Sequence, residues 1–280
     1  MRDRFADKRL TIQVVCQNFG RSRQAFYKAV RATERKELDK EKVLALIQAR
    51  RQLLPREGVR KLYHTLGSDF AQMGLKIGRD KLFGLLKEEG LLIRARRNYV
   101  VTTQSRHRFK VYNNLIESTQ PFGINQIWVS DITYLRTGQG FCYLALITDA
   151  YSRKILGYDV SDSLELDGCI RALKMALPKL GPTHRLIHHS DRGSQYCSHA
   201  YTQTLKKHGI RISMAATGNC YQNALAERVN GILKGEFYLD LKFISKEEAI
   251  RCCRDAITLY NELRPHTSIG MLTPSIKHAA

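Results

Sequence analysis

Near Pro121 the apolar residues change period, and this switch limits the chain more than any other feature. Hydrophobic residues recurring every three to four positions bury one face of a helix, whereas alternating or short apolar runs bury strands. The chain therefore divides into a helical front and an α/β rear. Its 280 residues are enough for both parts to own a core.

Behind Pro121, residues 127–135, 141–148 and 155–160 are short and β-rich, with Gly138 and Gly140 at the first turn, and imply three consecutive antiparallel strands. Helices at 164–177 and 198–208 then alternate with strands at 185–189 and 210–214, as an α/β sheet requires. A long helix beginning about 223 and another at 246–262 follow, then an Arg264-Pro265-His266 loop.

In front, residues 9–31 pattern as two short helices broken at Phe19-Gly20, with Ser22 placed to cap the second. As a helix-turn-helix, the second helix would enter the major groove, Arg23 and Gln24 reading bases and Lys28 holding phosphate. An amphipathic hairpin fits the same pattern, and charge tips the balance toward DNA. Helices at 40–53, 58–67 and 79–89 follow, the last closed by Gly90. A basic stretch at 91–112 carries Arg94, Arg96 and Arg97 and reads as a linker along the DNA backbone. The implied division is a helix-turn-helix-like segment at 1–35, a helical DNA-binding domain at 36–93, a basic linker at 94–120 and an α/β core with a C-terminal helix at 121–280.

Charge points the same way. The formal net charge is +20, and residues 1–120 hold 27 of the 46 Lys and Arg against 12 of the 26 Asp and Glu. An imbalance this concentrated implies a polyanionic partner, nucleic acid ahead of an anionic membrane. No run reaches the roughly 18 apolar residues of a spanning helix, and the charges in residues 1–20 exclude a signal sequence. No membrane association is expected; the expected location is the cytoplasm, at the nucleoid. The seven cysteines show neither C-x-x-C pairs nor zinc-like spacing and read as reduced thiols.

Three acids stand out by context. Asp131 interrupts the apolar strand W-V-S-D-I-T-Y, where an unpaired carboxylate costs several kcal/mol unless something neutralises it. Asp191 ends another apolar strand in L-I-H-H-S-D-R-G-S, at the strand edge where open α/β sheets hold ligands. Glu227 shares a helical stripe with Asn223, Asn230 and Lys234, opposite Leu225, Val229, Ile232 and Leu233; this places the polar stripe outward. Converging carboxylates suit Mg²⁺ or Mn²⁺, which prefer oxygen ligands. Taken singly, each acid is an ordinary surface or turn residue, and Asp149 and Glu236 are rivals. The helical wheel turns Glu236 toward the Leu225 side.

At these residues the chain resembles the integrase-core transposases of bacterial insertion sequences, relatives of retroviral integrases. The matching segments are P-R-E-G-V-R-K-L-Y, G-R-D-K-L-F-G-L-L-K-E-E-G-L-L, W-V-S-D-I-T-Y, H-S-D-R-G-S-Q-Y, N-A-L-A-E-R-V-N-G-I-L-K and Y-N-E-L-R-P-H-T-S. The resemblance implies a ribonuclease-H-like core with a mixed five-stranded sheet, an acidic triad at Asp131, Asp191 and Glu227, and two Mg²⁺ ions. It implies that Lys234 contacts terminal DNA, and that Asn223, Tyr260, Asn261, Arg264 and His266 line or brace the site, with Asn223, Arg264 and His266 as candidate DNA contacts. Gln222 departs from the pattern, standing where many relatives carry an acid. Metal-dependent 3′-end cleavage and strand transfer are the implied reactions, by a homo-oligomer that pairs two ends. An upstream-frame helix-turn-helix protein, or a frameshift fusion with it, is a further implied partner. A DNA-binding regulator with an idle core, and a nuclease that cuts without joining, remain as alternatives.

Overall fold

The computed structural model describes residues 11–94, 109–117, 119–181, 184–216 and 223–280. The front part is helical. Helix α1 (Ile12–Asn18) is capped by the Thr11 hydroxyl, and α2 (Arg23–Leu53) by that of Ser22, which accepts from Ala25 N at 3.1 Å. The sequence reading ends the second helix near residue 31 and starts another at 40. Instead, α2 runs unbroken for 31 residues, and the expected boundary between residues 35 and 36 falls inside it. The physical reason is plain: no Gly or Pro lies between Arg23 and Leu53, and Ala, Arg, Lys, Glu and Leu dominate the segment.

Helices α3 (Val59–Thr65), α4 (Gly67–Gln72) and α5 (Arg79–Glu88) pack against the second half of α2. Val43, Ile47, Leu62, Leu66, Phe70, Leu82 and Leu86 form their buried core. Gly90 ends α5 with φ +66°, the left-handed conformation that favours glycine. The basic linker falls largely outside the described residues, and Arg96 and Arg97 lie there with it.

The rear part is built on one mixed sheet. Strands β1 (Ile127–Thr137), β2 (Gly140–Asp149) and β3 (Ile155–Ser161) form the antiparallel meander expected from their patterning. Helix α6 (Leu166–Ala176) leads to β4 (Ile187–Ser190), then short α7 (Ser194–Cys197), α8 (His199–Lys207) and β5 (Arg211–Met214). The order β3-β2-β1-β4-β5, with β4 parallel to both neighbours, is a ribonuclease-H-like arrangement.

Helix α9 (Ala224–Glu236) crosses β1; strand β6 (Lys242–Phe243) pairs with the far end of β1; α10 (Lys246–Glu262) and α11 (Pro274–Ala279) close the chain. One sheet face buries Trp128, Leu156, Leu173, Leu186, Tyr201 and Leu205 beneath α6 and α8. The other buries Leu135, Leu144, Leu146, Val229, Leu233, Ile257 and Tyr260 beneath α9 and α10. Gly157 is the close approach on β3, because a Cβ there would meet the Ala172 carbonyl oxygen of α6 at 2.1 Å.

Candidate active site

Strand register brings the two aspartates together. The parallel pairing of β1 with β4 ends at Ser130 opposite Ser190, so Asp131 and Asp191 are each the next residue along. A hydrogen-bonded plug behind the strands holds that register. The hydroxyls of Ser130 and Tyr201 lie 2.7 and 2.9 Å from His188 Nε2, and His189 Nδ1 lies 2.8 Å from Ser213 Oγ on β5. His188 is fully buried, and burial pushes it down to about 3, so it stays neutral.

Asp191 Oδ1 accepts from Gly193 N at 3.0 Å, so the side chain also shapes the turn that follows β4. Gly193 matters here, because a Cβ would crowd that same oxygen at 3.1 Å. Asp131 is partly buried, and its Oδ2 accepts from Asn230 Nδ2 at 2.8 Å. Burial and the Asp191 charge push the Asp131 carboxyl up to about 7, with Glu227 adding to the rise and the Asn230 and Ile132 hydrogen bonds opposing it.

Helix α9 supplies the third acid. Val229, Ile232 and Leu233 press on the sheet, as the wheel predicts, with Ala226 also buried and Leu225 only partly so. The polar stripe, however, does not look outward along its length. Asn223 and Asn230 are buried against the strand ends, Asn223 donating to the Ser130 carbonyl at 3.3 Å, while Glu227 stays exposed in the first turn. The reason is that α9 lies across the sheet face on which Asp131 stands, and its amide side chains bond to β1 there. Burial and the Asp191 charge raise the Glu227 carboxyl too.

Asp131 and Glu227 form no ion pair among the described residues, although each lies in the field of Asp191. Also among the described residues, no three His, Cys, Asp or Glu side chains form a group ready to hold an ion as it stands. Glu227 stands exposed at the start of its helix.

The other expected residues separate into two sets. Lys234 lies two turns beyond Glu227, its Nζ 4.3 Å from the Tyr134 ring centroid, and burial lowers its pKa against the pull of Asp131. Arg23, Gln24 and Lys28 are exposed at the start of α2, and Arg94 is exposed after α5. Arg264 and His266, by contrast, are only 3% and 7% exposed. Arg264 donates to both oxygens of Glu236 and His266 packs edge-on to Tyr260, so both brace the fold from within. Asn261 braces likewise, exchanging two 3.0 Å bonds with the Ile155 backbone. Of the rival acids, Asp149 is buried and accepts from Asn125 and Ser152, and Glu236 is taken by Lys61 and Arg264. Gln222 lies outside the described residues.

Sequence reasoning missed Asn230 as the partner of Asp131 and the Ser130–His188–Tyr201 plug. The doubled histidine in an apolar strand was the available signal, since a buried imidazole needs polar partners.

The chain has relatives among known proteins. The family model described as Integrase core domain matches residues 123–220, and a second model of that description matches 208–274. The "Insertion element IS600 uncharacterized 31 kDa protein" of Shigella sonnei is 37% identical over 265 residues, covering 93% of this chain and 96% of its own length. "Transposase InsF for insertion sequence IS3A" of Escherichia coli (strain K12) is 39% identical over 193 residues, covering 68% of this chain and 66% of its own. Among solved structures, the HTLV-2 integrase catalytic core domain in complex with magnesium aligns with TM-score 0.46 and 21% identity, over 57% of this chain and 99% of that one.

Proposed function

This chain belongs to the integrase-core transposases of insertion sequences, and from that premise we propose that it cleaves the ends of its element to 3′-hydroxyls and joins them to target DNA. The observation that carries the reading is the register of β1 with β4: Asp131 and Asp191 stand side by side past the Ser130–Ser190 pair, with the helix of Glu227 tied to Asp131 through Asn230.

Asp131, Asp191 and Glu227 would hold the divalent cations. The donor set fits, because it offers hard oxygen ligands alone, and because the Asp131 carboxyl, raised by burial and like charge, is relieved by a cation. When bound, two Mg²⁺ ions, with Mn²⁺ as a substitute, would supply charge stabilisation to the attacking and leaving oxygens of a phosphodiester.

The chain's own residues position the DNA and the carboxylates. Asn230 holds one Asp131 oxygen and so aims the other; Asn223 anchors the start of α9 to β1. Lys234, steadied on Tyr134, offers its ammonium to a terminal phosphate on the Asp131 side of the helix. Catalysis in this account is positioning around an in-line transfer, without a covalent enzyme intermediate. The helical front grips double-stranded DNA through Arg23, Gln24, Lys28 and its basic surface, and Arg94, Arg96 and Arg97 continue that grip along the linker. Pairing of two ends calls for a homo-oligomer, with an upstream-frame helix-turn-helix protein or fusion as a further partner.

The test incubates the full chain and Mg²⁺ with labelled DNA carrying the element's ends, comparing wild type with Asp191→Asn. Joined products from wild type alone are expected. Cutting without joining would make the protein a nuclease, and binding with neither would make it a regulator.

A further inference from the structure

The two parts of the molecule keep separate apolar cores, the front one drawing on residues 43–92 alone. Among the described residues they are joined instead by charge, through contacts at the C-terminal ends of α9 and α10. Arg50 donates through Nη2 to the Leu263 carbonyl at 2.8 Å while its Nε is held by Glu57 at 2.8 Å. Arg56 donates to the Gly235 carbonyl at 2.9 Å, meeting the open carbonyls and negative pole that end α9. Lys61, on α3, lies 3.1 Å from both oxygens of Glu236, the last residue of α9. Arg264 closes the cluster from the core side with bonds of 2.8 and 2.6 Å to the same carboxylate.

Glu236 therefore receives one cation from each part of the molecule. Burial pushes its carboxyl up, but Arg264 and Lys61 overcome this and hold it below the ordinary range. Buried charge clusters of this kind add little net stability; their strength is in fixing one geometry, since misplaced charge inside the protein is costly. The geometry fixed here is that of α9, the helix that also carries Glu227 and Lys234. From Glu227 to Glu236 is nine residues, about 13 Å of stiff helix.

Building on the transposase reading, we propose that Glu236 is a positioning residue of the reaction: through Lys61 it transmits the helical part's engagement of DNA along α9, setting Glu227 and Lys234 over the aspartate pair.

Glu236→Gln is a poor probe, because it strands the buried Arg264 charge. Lys61→Met removes only Glu236's link to the helical part, leaving the Arg264–Glu236 pair inside the core and the Arg50 and Arg56 contacts between the parts. The full chain is measured with double-stranded DNA carrying the element's ends, for affinity, for turnover of joining, and for amide exchange across residues 224–236. In wild type, DNA slows that exchange. In Lys61→Met the slowing is lost and joining turnover falls about tenfold at unchanged affinity, while Lys61→Arg keeps both. Turnover equal to wild type, a fall accounted for by affinity alone, or persistent slowing in Lys61→Met would each overturn the proposal. The exchange measurement needs only binding. A wild type that binds without joining would count against the transposase reading and still decide whether the parts are coupled.

Discussion

At the scale of single residues, Asp131 is a carboxylate placed where it is unwelcome. Asp131 has its pKa raised to about 7 by burial and by Asp191, so without metal its ionised form weakens the fold. The cost is absent below the unfolded carboxyl's pKa of roughly 4 and complete once pH has risen through the folded value. Asp131→Asn should therefore raise the metal-free melting temperature at about pH 8 and lose that gain by about pH 4, at roughly 2–4 °C for each kcal/mol relieved. A gain that is flat with pH, read by thermal unfolding, would show that Asp131 carries no such strain. Asn230→Ala removes the donor that orients Asp131, and a loss of roughly 10–100-fold in Mn²⁺ affinity is expected, as for other outer partners of metal ligands. Calorimetric titration checks it; unchanged affinity would mean Asn230 serves only packing. Asp131 was legible in the sequence because it breaks an apolar strand. Its partner was not, because an Asn on a helical wheel reads as solvent-facing until the packing of α9 against β1 is known.

At the scale of elements, the long strands and helices were legible because their periods are strong. The meander, α6, α8, β5 and α10 all fall within a few residues of their expected limits. What escaped had too few residues to show a period: α7 with four, β6 with two and α11 with six. Helix α2 escaped in the opposite sense, since two expected helices with no breaker between them are one helix. Packing between elements was equally hidden, and Gly157 shows why: its need to be glycine comes from α6 lying against β3, not from its own backbone conformation. Gly157→Ala must push α6 away by its backbone, at about 1–3 kcal/mol or more. A lowering of the unfolding midpoint by several degrees should follow; an unchanged midpoint would mean α6 is less closely seated than 2.1 Å implies.

At the scale of the whole molecule, the helical front and the integrase core are two cores held together by a charge cluster at the end of α9. The wheel correctly turned Glu236 away from the acidic site, but its partners Lys61 and Arg264 were illegible, since they lie far apart in the chain and meet only in the folded structure. The central claim is that Asp131, Asp191 and Glu227 act as one divalent-cation site that transfers DNA strands. Its most direct test compares wild type with Glu227→Gln for cleavage and joining of labelled element ends, with and without Mg²⁺, while DNA binding is followed in parallel. Mg²⁺-dependent joined products are expected from wild type, and from Glu227→Gln undiminished binding with neither cut nor joined DNA. Joining by Glu227→Gln at the wild-type rate, or by wild type without any divalent cation, would contradict that claim.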